Sequence, residues 1–221
     1  YRRFKKLHLL HHADERLTDP FDDPESYYMA VWKYEKLPAW FKAVLRVNNT
    51  LAGRFILNPL LGSFGLMAMD FKAALNGDRH VIDAWARHLA AAVIVAAVVQ
   101  FVLGIPFWLY LIVPCWIGQS IIAIRTYAEH QWHESPEGRT IIVERSPLSI
   151  LFLNNNLHLV HHKLPTAPWY RLPLLFAERR DEWMALNKGY VFPNYLALVM
   201  QWAFKAKEPV AHPVLRRGPE A

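Results

Sequence analysis

The sequence predicts an all-α integral membrane protein. It has one clear transmembrane hairpin, over about 88–104 and 106–124, with interfacial helices and a cytoplasmic histidine-rich cap. Three observations predict it. No Asp, Glu, Lys or Arg occurs between Arg87 and Arg125, a stretch of 37 residues. Gly104 and Pro106 break that stretch near its middle. Eight of the eleven histidines fall in three clusters outside it.

An unbroken helix over 88–124 would reach about 55 Å at 1.5 Å per residue. A hydrocarbon core of ~30 Å does not hold it, whereas two helices joined by a tight turn fit. Trp108 and Tyr110 then fall near one interface and Trp85 near the other. Everything before residue 88 and after residue 124 shares one side, so every Lys and Arg lies there. The bias of Lys and Arg toward the inside makes that side cytoplasmic.

Residues 4–16 predict a helix, having good helix formers and few breakers. Residues 18–28 read as an acidic loop carrying Pro20 and Pro24. Residues 38–53 look amphipathic, with Trp40, Phe41, Val44, Leu45 and Leu51 set against Lys42, Arg46 and Asn49. Residues 55–69 are uncharged but number only 15 and contain Pro59, Gly62 and Gly65. That is short for a span of ~20 residues, so 38–75 reads as interfacial or re-entrant. Downstream, 147–162 predicts a helix, 164–173 an extended Pro-rich turn, and 174–204 one or two further helices. The chain reads as a single domain over 1–221. Its abrupt start at Tyr1, without Met, reads as the interior of a longer protein.

Composition excludes several function classes. The chain is 53% hydrophobic and 14% aromatic, against intrinsic disorder. A single cysteine, Cys115, excludes a disulfide framework, a cysteine zinc site and a thiolate iron–sulfur cluster. A net charge of +6 suits an anionic membrane or nucleic acid. The basic residues are dispersed and no recognised binding motif occurs, so no nucleic-acid partner is expected.

The histidines carry the chemistry. His8, His11 and His12 form an H-x-x-H-H triplet, and His158, His161 and His162 form a second. On a helix, positions i, i+3 and i+4 share a face, so each triplet is expected to gather three imidazoles into one small volume. His130 and His133 follow the second span at i, i+3 spacing. Imidazole suits Zn, Cu, Fe and Ni. Structural zinc is usually satisfied by four ligands, so six to eight histidines on one membrane face suggest two metals. His80, His88 and His212 read as solvated or hydrogen-bonded side chains.

The paired triplets flanking a hairpin resemble the membrane fatty acid desaturase superfamily over nearly all of the chain, about 1–200. HLLHH (8–12) resembles its second histidine box. HLVHH (158–162), preceded by Asn154, Asn155 and Asn156, resembles the third. RTYAEH (125–130) is similar to an extra histidine motif that many members carry. The acidic loop after the second box, the PWYRLP turn after the third, and Arg54 with the following FILNPLLG are further likenesses.

The resemblance implies a di-iron centre held by His8, His11, His12, His130, His158, His161 and His162. His133 has no counterpart as secure. It implies O2 as co-substrate and a fatty acyl chain that gains a double bond. The same-fold alternative is a hydroxylase or ketolase acting on a sphingolipid or carotenoid. From a different class comes a non-catalytic metal-binding membrane protein. The family's first box and first two spans would lie upstream of Tyr1. Animal-type acyl-CoA members place an Asn four residues before the extra histidine, where this chain has Thr126.

Candidate partners of the imidazole N–H groups are Asp14, Glu15, Asp19, Asp22, Asp23 and Glu129, with Asn155 and Asn156 near the third box. The chain has no flavin or nicotinamide glycine fingerprint, so electrons must come from an external donor: ferredoxin, rubredoxin, or cytochrome b5 with its reductase. Arg2, Arg3, Lys5, Lys6, Arg179 and Arg180 form a basic surface that would steer an acidic donor or anchor to anionic lipid.

Overall fold

The computed structural model describes residues 2–12, 16–215 and 218. Asp14 and Glu15 lie outside them. The chain is mostly helical. In order it runs α1 (Arg2–His11), α2 (Val31–Glu35), α3 (Ala39–Asn48), α4 (Leu51–Leu75), α5 (Arg79–Val102), α6 (Phe107–Glu129), β1 (Ile142–Val143), α7 (His158–Lys163), α8 (Leu172–Glu178), α9 (Arg180–Leu186), β2 (Val191–Phe192) and α10 (Tyr195–Trp202).

Among the described residues three helices, α4, α5 and α6, are long and apolar enough to cross a membrane. α4 thus carries 51–75 as one helix long enough to span, where the uncharged stretch 55–69 was expected to be too short. α4 is one unbroken helix of 25 residues. Thr50 caps it, its Oγ1 accepting from the Gly53 N–H at 3.0 Å. Gly53 is required there, because a Cβ would sit 1.8 Å from the Val47 carbonyl oxygen of α3. Pro59, Gly62 and Gly65 do not end the helix. Pro59 is buried within it, and Asn58 packs beside the position a Gly62 Cβ would take.

α5 and α6 also exceed the expected 88–104 and 106–124. α5 begins at Arg79 because Asp78 caps it, accepting from the His80 and Val81 N–H groups. The two helices meet across Leu103–Pro106, where Gly104 takes φ +65, a left-handed conformation that glycine adopts without steric cost. Pro114 lies in a π turn, Leu111–Cys115, that absorbs its missing N–H. Val93, Phe101 and Trp108 are 68%, 83% and 63% exposed; apolar side chains standing outward along these helices match a lipid solvent.

The remaining contacts fix how the long helices sit around α1. Arg2 of α1 pairs with Asp83 near the start of α5, and Arg3 with Asp70 near the end of α4. At its other end α1 places His11 against His130, just past α6. Arg54, near the start of α4, stacks over Tyr127, near the end of α6. Both ends of α4, the start of α5 and the end of α6 therefore gather on the α1 side.

β1 and β2 pair in parallel, with Ile142 opposite Val191. Alternation along the segment sends Ile142 into a cluster with Leu159, Leu172 and Trp183, and Ile141 and Val143 into another with Tyr127, Tyr190 and Leu198. Backbone bridges from His130 to Thr140 and from Ile142 to Leu157 tie α6 and α7 to this strand. The helix expected over 147–162 is confined to 158–163. Residues 147–157 form turns, with Leu153 and Asn154 at φ +53 and +55. Pro147 and the three consecutive asparagines explain the loss, since Asn side chains compete for backbone partners. Asn154 donates to the Trp169 carbonyl and Asn156 to the Val143 carbonyl. Between 172 and 202 three short helices replace the one or two expected.

Candidate metal centre

The seven histidines come together as two groups. His11, His130, His158 and His162 are buried and form one; His8, His12 and His161 are half-buried and form the other. Each H-x-x-H-H triplet is thus divided, which corrects the expectation that its three imidazoles share one volume. The i, i+4 pair projects within about 40° of one direction, while the i+3 member points about 60° to the other side. α1 and α7 face each other, and each lends its i+3 histidine to the other's pair. His11 joins His158 and His162, and His161 joins His8 and His12.

The buried group is knit through its Nε2 atoms. His130 Nε2 lies 2.9 Å from His11 Nε2 and 3.0 Å from His158 Nε2, and His158 Nε2 lies 3.2 Å from His162 Nε2. The opposite nitrogens decide what stands at those positions. His11 Nδ1 lies 2.8 Å from Asp23 Oδ1, His158 Nδ1 3.0 Å from Asn155 Oδ1, and His130 Nδ1 3.3 Å from the Arg139 carbonyl oxygen. An oxygen acceptor assigns the proton to Nδ1. Nε2 of His130 and His158, and of His11 in its neutral form, then carry lone pairs that converge on one another. A cation resolves that arrangement. Two nitrogens each ~2.1 Å from one ion lie about 3.0–3.4 Å apart at right or tetrahedral angles, which is the spacing seen.

In the second group His8 Nδ1 lies 3.0 Å from Glu25 Oε1, and its Nε2 faces His12 Nε2 at 3.1 Å. The His12 and His161 rings lie edge to face, 4.6 Å between centroids.

Electrostatics favour the neutral form at three of these rings, His130, His158 and His161. Burial, with neighbouring histidines, holds His130 and His158 well below the usual imidazole range. The same causes push His161 down to about 3. At His11 burial again disfavours the cation, but the Asp23 hydrogen bond and charge outweigh it and raise the ring above its ordinary value. Burial raises Glu25, yet the His8 hydrogen bond and the charges of His11 and His8 bring it below the usual carboxylate range. Neutral imidazoles with oriented N–H groups are the form that ligates a metal.

Of the sequence-predicted acceptors, Asp23 and Asn155 hold ring N–H groups directly. Glu129 acts one step further out. It accepts from Asn155 Nδ2 at 2.7 Å and pairs with Arg125 at 2.8 Å, and its carboxylate lies 3.6 Å from His158 Nδ1. Asp19 caps its own turn, taking the Phe21 N–H at 2.8 Å and the Asp22 N–H at 3.4 Å. Asn156 serves the strand rather than the site. His133 stays out of both groups, its Nδ1 accepting from the Ser135 N–H at 3.0 Å. Sequence reasoning missed Glu25 and the Arg139 carbonyl. Glu25 stood in the recognised acidic loop; a backbone carbonyl leaves no residue-type signal. Of the basic surface, Arg2, Arg3, Arg179 and Arg180 are engaged by Asp83, Asp70, Glu182 and Glu144, leaving Lys5 and Lys6 exposed on α1.

A cavity of about 670 Å³ opens from His130 and Glu129. It runs along α4 past Asn58, Gly62, Gly65 and Met69, and reaches Trp85 and Asp70. At that far end Asp70 is closed off by Arg3 at 2.7 Å and by the Trp85 indole N–H at 2.9 Å.

No curated protein and no solved structure matches the chain. Residues 1–194, most of its length and all seven clustered histidines, match the model of a family described as fatty acid desaturase, and the chain belongs to that family.

Proposed function

We propose that this protein is a membrane-bound non-haem di-iron oxidoreductase that introduces a double bond into a fatty acyl chain. The observation that carries the reading is the junction of the two features just described: facing imidazole lone pairs, and a mostly apolar cavity that starts at His130. His11, His130, His158 and His162 would hold one iron, and His8, His12 and His161 would contribute to the second. Bound there, the pair would supply O2 activation and removal of hydrogen from an unactivated C–H bond. The balance is two hydrogens from the substrate, two protons, two electrons and one O2, giving two waters and a C=C bond.

The chain's own residues bind and orient. Asp23, Asn155, Glu25 and the Arg139 carbonyl fix the ring tautomers. The stretch of α4 from Asn58 to Met69 would hold the acyl chain straight beside His130. Burial of the four-histidine group excludes bulk water. The electrons come from an external donor, a ferredoxin, a rubredoxin or cytochrome b5.

For the membrane we infer that α5 and α6 cross as a hairpin. Their joined ends lie at Leu103–Pro106, and their free ends meet at α1. α4, with both ends on the α1 side, would lie along the membrane face. The charged α1 and the histidine groups then occupy one side, which the Lys and Arg distribution makes cytoplasmic.

The test is expression of the full-length protein with analysis of lipids and metal. New double bonds and about two irons per chain support the reading. Oxygenated products would instead make it a hydroxylase or ketolase, and one zinc without iron would make it a non-catalytic metal binder.

A further inference from the structure

The family match ends at residue 194, yet the chain beyond it returns to the metal centre. After α10 the segment 203–212 forms a strap. Ala203 accepts from the Ala52 N–H at 2.9 Å, Val210 accepts from Met29 N–H at 2.8 Å, and His212 donates back to the Met29 carbonyl at 3.0 Å. Between these anchors lie two half-buried charged side chains, Lys207 and Glu208, that the reaction outlined above does not use.

Lys207 Nζ reaches the Tyr127 carbonyl at 2.7 Å, the Tyr190 hydroxyl at 3.0 Å and the carbonyl of His130. In its ammonium form it matches three donors to three acceptors, while burial pulls its pKa down to about 7. Tyr127 is in the last turn of α6, whose final carbonyls lack helical partners, and a cation there also suits the helix dipole. The rings of Tyr27, Tyr127 and Tyr190 surround the ammonium at 5.2–5.4 Å. Glu208 faces the other way. Its carboxylate accepts from the Tyr27 hydroxyl at 2.5 Å, from the Tyr28 hydroxyl, and from the Trp132 N–H at 3.1 Å. Tyr27 and Tyr28 end the loop whose Asp23 and Glu25 orient His11 and His8.

We propose that Lys207 and Glu208 are positioning residues that lock the backbone of His130 and the acidic loop 18–28 into one frame, so that the two halves of the metal centre keep register. His130 is the one buried ligand that no histidine triplet supplies. Its ring is aimed by the Arg139 carbonyl, but its backbone leaves α6 in an extended conformation, φ −130 and ψ 149, with Lys207 on its carbonyl. A small rotation there would carry Nε2 out of contact with His11 and His158.

The metal half of the inference rests on the proposed di-iron reading; the positioning half does not. The test uses the full chain in detergent with Lys207→Met, which keeps length and removes every donor, and Glu208→Gln, which keeps shape and removes charge. Lys205→Met, an exposed neighbour, is the control. Amide hydrogen exchange is measured first on metal-free protein. We expect exchange over 127–132 to rise at least about tenfold in both strap variants with helical circular dichroism unchanged, and no rise in the control.

Mössbauer spectra of 57Fe-loaded protein are then expected to lose one of the parental iron environments in Lys207→Met. Parental exchange over 127–132 in both strap variants overturns the proposal. So does faster exchange with an unchanged iron spectrum and stoichiometry, since that is the behaviour of a merely structural strap. Should Lys207→Met not fold, Glu208→Gln decides by the same two readouts. Should the parent bind no iron while exchange still depends on Lys207, the di-iron reading fails and the positioning role stands.

Discussion

His11 and His130 stand 119 residues apart in the chain, and their Nε2 atoms lie 2.9 Å apart. Each also has its Nδ1 proton assigned by an oxygen, from Asp23 and from the Arg139 carbonyl respectively. With His11 neutral, two lone pairs face each other across that gap, where an ion would join them. Substituting His130→Ala removes the nitrogen that touches both His11 and His158. Iron retained after dialysis is expected to fall from about two per chain to one or fewer, while His80→Ala, capped away at the start of α5, leaves it unchanged. Retention of the parental iron content by His130→Ala would exclude the buried group as a ligand set.

Asp23 acts without touching the metal position. Asp23→Asn keeps the shape and presents either an oxygen or an N–H to His11 Nδ1. In the second orientation the ring proton moves to Nε2, where it blocks ligation. Loss of such an outer partner typically costs 10- to 100-fold in metal affinity. A comparable weakening is expected here from competition with a metal indicator, with Asp22→Asn as the exposed control.

Gly65 lines the cavity midway along α4, and a Cβ built there meets no atom within 4 Å. Gly65→Leu therefore adds bulk to open space and removes a helix-weakening glycine, worth up to about 1 kcal/mol of helix propensity. The fold is expected to survive, and the length of acyl chain accepted to shrink. Competition between long and short acyl substrates checks this: conversion of the longer chain is expected to drop about tenfold or more relative to the shorter. An unchanged ratio would place the acyl chain elsewhere.

Much of the site was legible because its signals are local. H-x-x-H-H is a one-turn pattern, and α1 and α7 needed only their own residues to display it. The division of each triplet was not legible, since it depends on α1 facing α7 across the end of α6. That encounter is set by Arg2, Arg3 and the β1 bridges, all long-range. The length of α4 was misread for a related reason. Pro59, Gly62 and Gly65 are breakers in water, but packing against α6 and the cap at Thr50 carry the helix through them. The strap carrying Lys207 has no motif, and only the fold brings it to His130.

Acid should loosen the metal-free protein, and the sign follows from the depressed rings. His130, His158 and His161 are held neutral when folded, His161 down to about 3, whereas in the unfolded chain they protonate near 6.5. Below that value the unfolded state binds more protons, so stability falls as pH drops from about 6.5 toward the folded values. His11 opposes this, because its folded value is raised; its contribution is present below 6.5 and fades above. Glu129, whose carboxylate burial raises, opposes the loss too, and His212, held low by burial, adds to it; four depressed rings against two opposing groups leave a net loss in acid. The melting temperature of metal-free protein in detergent is expected to decline steadily from pH 7 to pH 5. His161→Gln, which removes one depressed ring from the half-buried group, should flatten the slope. A melting temperature independent of pH over that range would mean that these imidazoles are solvated rather than packed against one another.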